Sequence, residues 1–224
     1  MKIGIIFAMQ EELNALKNHL EITNEFSIFD SKFYESKVNN VTCILVESGI
    51  GKVNSARTTQ ILIDNMKVDY IFNIGVAGGI DEKLKVGDIV IGKTLVQHDF
   101  DITAFNHEKG FIPNVGKCIN SDEYLVKLVS EIDSSFLQGT IASGDIFCTD
   151  TTMSKKIHDK FGALCVEMEG ASIAQVCYLC NIPFLIIRSI SDTPNNDNSI
   201  MFDEFLETSS KKVAEVMIKL INKI

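Results

Sequence analysis

Residues 183–192 read PFLIIRSISD, an apolar and β-branched run that ends on the carboxylate of Asp192. A second acidic stretch, residues 166–172, reads VEMEGAS, so Glu167 and Glu169 flank Met168 just before a run of small and apolar residues. We expect the first stretch to form a buried strand and the run after the second to form a helix. Burying a charge costs several kcal/mol unless the charge is paired or the group takes up a proton. These acids are therefore either partners in buried ion pairs or members of a functional site.

Strand-like and helix-like segments alternate along the chain. Apolar runs rich in β-branched residues predict strands at 3–7, 41–47, 70–74, 89–91, 139–142 and 184–190. Helical patterns predict helices at 11–20, 53–66, 123–132, 154–161, 170–180 and 202–223. The alternation predicts an α/β fold with a central mixed, largely parallel β-sheet flanked by helices.

The composition is that of a single acidic globular domain. The chain has 224 residues, of which 46% are hydrophobic, and no Ser/Pro-rich linker, repeat or block of like charge interrupts it. A chain of this length can bury roughly 70% of its unfolded surface in one core, so we predict one domain over 1–224. The formal net charge is -9. Because an acidic field repels phosphate backbones, nucleic acid is not expected as a partner.

Three features predict a cytoplasmic protein without a cofactor. The apolar run at 3–7 is too short for a signal peptide or a membrane-spanning helix, so no membrane association is expected. The six cysteines lie in or beside apolar sequence, as free thiols do in a reducing compartment, and the CxxC spacing of Cys177 and Cys180 falls on a predicted helix without a second such pair. The four histidines are scattered, so we predict no metal and no organic cofactor.

Glycines and acids cluster where the predicted strands end, which is where α/β sheets bind ligands. The segments are AMQEE at 8–12, SGIGK at 48–52, GVAGG at 75–79, SGDIF at 143–147 and SISD at 189–192. Neither a dinucleotide nor a triphosphate loop is present, because GIGKVN at 49–54 lacks the third glycine of GxGxxG and the spacing of a Walker motif. Acids beside Phe147 and Met168 instead suit a pocket for a flat base and a polyol.

Nine short motifs occur in the order found in one enzyme family. They are IGII with AMQEE at 3–12, SGIGKV at 48–53, GVAGG at 75–79, VGDIV at 86–90, HD with TAF at 98–105, SGD at 143–145, VEME at 166–169, SISD at 189–192 and FDEF at 202–205. With these motifs the chain resembles, over essentially its whole length, the bacterial 5′-methylthioadenosine/S-adenosylhomocysteine nucleosidases of the purine nucleoside phosphorylase superfamily. The resemblance implies a nucleoside phosphorylase-like fold. It also implies hydrolysis of the N-glycosidic bond of these nucleosides, with 5′-deoxyadenosine as a further candidate, to adenine and the 5-thioribose.

This reaction needs an acid, a base and a clamp for the sugar. Cleaving the C1′–N9 bond leaves an electron-rich purine and an oxocarbenium-like sugar. The resemblance assigns protonation of adenine N7 to Asp192, activation of water to Glu12 and binding of the ribose hydroxyls to Glu169. We expect burial or the ligand to hold the proton on Asp192, with Ser191 and Arg188 orienting or balancing it. The dipole of the first helix is expected to keep Glu12 ionised.

The remaining substrate contacts also follow from the resemblance. Phe147 would wall the adenine, the backbone of Cys148 would read its edge, and Met168 would pack beside the sugar. Glu167 would either join the ribose network or pair within the protein. The residues expected to line the sugar and sulfur side and the floor are Met9, Ile50, Phe202, Val76 and Gly78.

Two alternatives accompany this interpretation. One is a phosphate-dependent nucleoside phosphorylase, whose relatives hold phosphate with an arginine and a serine near residues that read NIGV at 73–76 here. Glu12 would repel that anion. The other is a non-catalytic nucleoside-binding module on the same scaffold, which would be expected to lack the acid or the base. Many nucleosidases carry a serine at the position of Val76. Because valine has no hydroxyl, we expect the attacking water to lack that side-chain contact here.

The resemblance further implies a homodimer with a shared site. Ile102, Phe105 and Pro113 match the family's segment that reaches into the neighbouring subunit's pocket; an ordinary surface loop is the alternative. His107 stands where an aromatic residue is common, and we expect it to alter tolerance for the 5′-substituent.

Overall fold

The computed structural model describes residues 1–193 and 198–224, with the backbone alone for 198–201. Its strands are β1 (Lys2–Phe7), β2 (Ile22–Ile28), β3 (Ser31–Val38), β4 (Val41–Glu47), β5 (Tyr70–Gly79), β6 (Ile89–Gln97), β7 (Ile119–Asn120), β8 (Leu137–Ser143), β9 (Ala163–Glu167) and β10 (Phe184–Asp192). Its helices are α1 (Gln10–Lys17), α2 (Lys52–Ile61), α3 (Glu123–Ser130), α4 (Thr151–Phe161), α5 (Gly170–Cys180) and α6 (Asn198–Ile221). A π-helical turn, Leu62–Met66, extends α2, and a 3₁₀ turn covers Thr103–Phe105.

The strands form one mixed sheet, as predicted. Its order is β10-β6-β8-β9-β5-β1-β4-β3-β2, with β7 beside β6. Parallel pairing joins β4, β1, β5 and β10 in that order, while β2 and β3 add an antiparallel edge to β4. Because β10 also pairs with both β5 and β6, the strands β5, β10, β6, β8 and β9 close into a ring. The carboxyl ends of β1, β5 and β10 therefore lie side by side.

Helices cover both faces of the sheet. On β1, Ile3, Ile5 and Phe7 pack with residues of α1, α3 and α6, whereas Ile6 points to the opposite face and packs with α2 and α5. This alternation is the strand period of two, and it explains why β1 reads as apolar throughout. In the described ranges no helix is long and apolar enough to span a bilayer.

The predicted elements are all present, but the sequence analysis missed four strands. These are β2, β3, β7 and β9. β2 is half-exposed and polar, and β9 has only five residues between two helices. The predictions were also wrong about two strand ends, because β5 runs on through the predicted loop at 75–79 and β6 continues to Gln97.

Candidate active site

A pocket of about 590 Å³, including its open mouth, lies at the carboxyl ends of β1, β5, β9 and β10. Thirteen predicted residues line it: Met9, Glu12, Ile50, Val76, Gly78, Phe147, Cys148, Glu167, Met168, Glu169, Ser191, Asp192 and Phe202. The lining also includes Ala8, Ala77, Ile146 and Val166, which the sequence analysis did not single out. Both predicted catalytic carboxylates and the predicted ribose clamp therefore face one cavity.

Glu12 is fixed by three backbone N–H groups. It is the third residue of α1, and its Oε2 accepts from Ala8 at 2.9 Å and from Met9 at 3.1 Å. The Val76 N–H, in the second half of β5, donates to Oε1 at 2.9 Å. Gly75 makes this approach possible, since a Cβ there would lie 2.4 Å from Oε1.

Burial raises the pKa of Glu12, although Arg188 and the three N–H groups act in the opposite direction. Desolvation thus acts against the stabilisation of this carboxylate that we expected from the helix dipole. A raised pKa makes Glu12 a stronger base once it has lost its proton.

Asp192 is the last residue of β10 and is buried. Ser191 Oγ donates to its Oδ1 at 2.8 Å, and a Cβ at Gly78 would lie 3.1 Å from Oδ2. Burial raises the pKa of Asp192. Burial thus favours the neutral carboxyl group over the charged one, and the neutral form is the one a general acid uses.

Arg188 does not balance Asp192, contrary to our expectation. Its guanidinium is fully buried beneath the pocket, where it donates to Glu167 and to Asn73 and lies 3.8 Å from Glu169 Oε2. Arg188 and Asp192 are four positions apart on β10, about 13 Å along a strand, and a bulge between Ile190 and Asp192 also ends the two-residue alternation that would keep them on one face.

Glu167 is paired within the protein even though it lines the pocket. Besides Arg188, the Ser143 hydroxyl and the backbone N–H groups of Glu169 and Gly170 donate to its carboxylate, the last two at 3.1 and 2.7 Å. Asn73 completes this cluster; the sequence analysis missed that role, although an amide within the apolar run 70–76 was a signal for it. Of the two readings of Glu167, the structure favours internal pairing.

Glu169 stands between the pocket and the turn before α2. Its Oε1 accepts from the Gly51 N–H at 2.8 Å. Burial, followed by the charge of Glu167, raises the pKa of Glu169 to about 8. Its neighbour Met168 lines the same cavity.

An aromatic wall closes another side of the pocket. Phe147 and Phe202 pack edge to face, with ring centroids 5.6 Å apart. Phe147 is 44% exposed and has room to contact a planar ligand. The Cys148 thiol lies 3.2 Å from Ser154 Oγ, and burial raises the pKa of this thiol, so it is a neutral packing group.

Three predicted residues lie outside this pocket. Ile102, Phe105 and Pro113 belong to the segment after β6, and the Phe105 side chain is 76% exposed. In the same segment His107 stacks on Phe111 at 4.7 Å. Over residues 1–193 and 198–224, no group of three His, Cys, Asp or Glu side chains is arranged to hold a metal ion.

Comparison with known proteins identifies the family. Residues 2–222 match the family model of the phosphorylase superfamily. The chain is 42% identical over 234 residues to the 5′-methylthioadenosine/S-adenosylhomocysteine nucleosidase of Bacillus licheniformis, with all of both chains covered.

Two solved structures from Helicobacter pylori resemble the whole chain. One is an aspartate-to-asparagine mutant of that bacterium's nucleosidase with 5′-methylthioadenosine in the active site, at TM-score 0.97 and 34% identity, covering 100% of this chain and 99% of that one. The other is a native futalosine hydrolase, also at TM-score 0.97 and 34% identity, covering 100% and 98%. The chain belongs to the phosphorylase superfamily and, within it, to the 5′-methylthioadenosine/S-adenosylhomocysteine nucleosidases.

Proposed function

We propose that this protein hydrolyses the N-glycosidic bond of 5′-methylthioadenosine and S-adenosylhomocysteine, releasing adenine and the corresponding 5-thioribose. One observation carries the proposal: Glu12, Asp192 and Glu169 converge on a single apolar-walled cavity. A base, an acid and a hydroxyl clamp are the groups that this cleavage needs. Relatives named 5′-methylthioadenosine/S-adenosylhomocysteine nucleosidase match the chain over its whole length.

In the proposed mechanism, the protonated Asp192 donates its proton to adenine N7 as the C1′–N9 bond breaks and its electron pair passes to the base. Glu12 takes a proton from a water molecule, whose oxygen forms the new bond to C1′. Glu169 accepts hydrogen bonds from the ribose hydroxyls, and Phe147 stacks against the adenine. The resemblance to the nucleosidases supplies this division of roles. Burial raises the pKa of both groups, which favours the proton that Asp192 donates and makes Glu12 a stronger base once it is ionised.

Water rather than phosphate is the proposed nucleophile. The residues that line the pocket within the described ranges include three glutamates and one aspartate but no lysine or arginine. Arg188 lies below the lining and is engaged by Glu167 and Asn73. A phosphate dianion in this cavity would meet no cationic side chain of the lining and would lie near Glu12, the proposed base. The Val76 side chain has no hydroxyl that could contact the water. Its backbone N–H donates to Glu12.

The deciding experiment is chromatography of 5′-methylthioadenosine incubated with the purified protein, with and without phosphate. Adenine and methylthioribose released in phosphate-free buffer would support the proposal. Adenine released only with phosphate would identify a phosphorylase, and no adenine in either buffer would favour a binding module. The same assay ranks S-adenosylhomocysteine and 5′-deoxyadenosine, and futalosine joins the panel because of the similarity to the hydrolase structure.

We also propose a homodimer in which Ile102, Phe105 and Pro113 complete the neighbour's 5′-substituent pocket. The Phe105 side chain is 76% exposed and lies in the same segment as Ile102 and Pro113, so it is accessible to a second copy of the chain. Sedimentation would give the oligomeric state. Phe105→Ala would raise KM for methylthioadenosine if the segment reaches the neighbouring site, and would leave KM unchanged if it is an ordinary surface loop.

A cytoplasmic location is part of the same proposal. None of the six cysteines forms a disulfide in the part of the chain that the structure describes, which suits a reducing compartment.

A further inference from the structure

A polar network outside the pocket joins three loops. Lys52 Nζ donates to Asp99 Oδ1 at 2.7 Å and to Gln97 Oε1 at 3.2 Å. The Lys52 backbone N–H donates to Asp145 Oδ1 at 2.8 Å, and the Asp145 N–H donates to Asp99 Oδ2 at 2.9 Å. Lys52, Asp99 and Asp145, which we call the clasp, therefore link the start of α2, the segment after β6 and the loop after β8.

The start of α2 depends on carboxylates from other parts of the chain. A lysine at a helix N-terminus is poorly placed relative to the helix dipole, and α2 has neither an acidic residue in its first turn nor a side-chain cap of its own. Two distant carboxylates bind its first N–H groups instead: Glu169 accepts from Gly51, and Asp145 accepts from Lys52. The start of α2 is therefore hydrogen-bonded to two parts of the chain that border the pocket, at Glu169 and at Asp145.

The clasp anchors the loop that carries the aromatic wall. Ile146, Phe147 and Cys148, which line the pocket, directly follow Asp145. Before it, Gly144 lies so close to the buried His98 that a Cβ would be 2.4 Å from Nε2. The side chains of Lys52 and Asp99 are 18% and 17% exposed, so this ion pair is largely shielded from water and weakened less by screening than a surface pair.

We propose that Lys52 and Asp99 are positioning residues for base binding. They hold Asp145, and with it Phe147, at the edge of the cavity where the adenine enters, while the turn before α2 holds Glu169. The inference rests on the proposed function, in which adenine lies against Phe147. Glu12 and Asp192 sit on α1 and β10, away from the clasp, so loss of the clasp weakens substrate binding and spares the chemical step.

The test combines hydrogen exchange with kinetics. In Lys52→Met and Asp99→Ala, amide exchange over 144–148 in the unliganded protein should become about 10-fold faster, as expected when a charge-assisted hydrogen bond is lost. KM for methylthioadenosine should rise about 10-fold while kcat changes less than about 3-fold. Lys52→Arg should restore most of the loss in both measurements. Lys32→Met is the matched control, because it removes the lysine of an exposed ion pair with Glu25 and should resemble the wild type.

Two results would overturn the inference: exchange over 144–148 that stays at the wild-type rate in both disruptive variants, or a fall in kcat at unchanged KM. The exchange measurement needs no turnover. If the wild-type protein released no adenine, the proposed function would fail, while the exchange rates would still support or overturn the anchoring of the loop.

Discussion

Replacing Arg188 with methionine perturbs the buried charge cluster below the pocket. The Arg188 side chain is 1% exposed and that of its partner Glu167 is 2% exposed, with Glu169 Oε2 at 3.8 Å. Methionine keeps an unbranched apolar stem of similar reach and removes the charge. Glu167 and Glu169 then share a buried site, near Glu12, without a counter-charge.

Two measurable consequences follow from this loss. Removing one partner of a buried ion pair costs about 3–5 kcal/mol, because the surviving charge is left uncompensated, and we expect the free energy of unfolding to fall by this amount near pH 8. The deficit should shrink in acid, where the carboxyl groups take up protons. The Arg188 charge also lowers the pKa of Glu12, so its removal raises that pKa further. Since a general base must be unprotonated, the acidic limb of the kcat/KM profile should move to higher pH.

Urea unfolding and the pH dependence of adenine release measure the two effects separately. The matched control is Arg57→Met, which removes the only other arginine, half-exposed in a surface pair with Asp30. That variant should lose less than about 1 kcal/mol and keep its pH profile. An Arg188→Met protein as stable as the control near pH 8, or one with an unmoved acidic limb, would refute the reasoning.

Glu12→Gln and Asp192→Asn should each lower turnover at least ~100-fold by loss of base or acid catalysis, with an unchanged circular dichroism spectrum; near-normal turnover in either would remove that role. Gly75→Ala should lower kcat on the order of 10-fold, because its Cβ would lie 2.4 Å from Glu12 Oε1 and displace the carboxylate, and single-turnover kinetics would detect this. The pKa of Glu169 is raised from its ordinary 4.5 to about 8, so its share of the stability is complete below about pH 4.5 and is lost as pH rises through about 8. Unfolding measured between about pH 5 and about pH 9 should therefore show a smaller decline in Glu169→Gln than in the wild type.

Strands buried on both faces were predictable from sequence, and strands stabilised by their neighbours were not. β1 and β10 consist almost entirely of buried residues, so their apolar runs stand out. β2 reads ITNEFSI, with polar residues on a half-exposed edge, and its order comes from antiparallel pairing with β3. That pairing is a tertiary property without a strong local signature.

The site could be predicted as a set of residues but not as a set of contacts. Thirteen of the residues predicted from the motifs line one cavity. The predicted partner of Arg188 was Asp192, whereas the structure pairs Arg188 with Glu167. Arg188 and Asp192 stand four positions apart on β10, about 13 Å along a strand, and the bulge before Asp192 also ends the two-residue alternation between them. The sequence SISD at 189–192 contains no signal for a bulge, so a regular strand was expected.

Two glycines of GVAGG lie against the proposed base and the proposed acid. β5 lies between β1 and β10, and its carboxyl-terminal part separates Glu12 from Asp192, the proposed base and acid. A Cβ at Gly75 would meet Glu12 at 2.4 Å and one at Gly78 would meet Asp192 at 3.1 Å, while the Val76 N–H between them binds Glu12. Because both glycines leave room for a buried carboxyl group, burial can raise the pKa of the base and of the acid at once. The glycines of this motif thus leave room for two carboxyl groups, which glycosidic cleavage requires and which would oppose the binding of an anion.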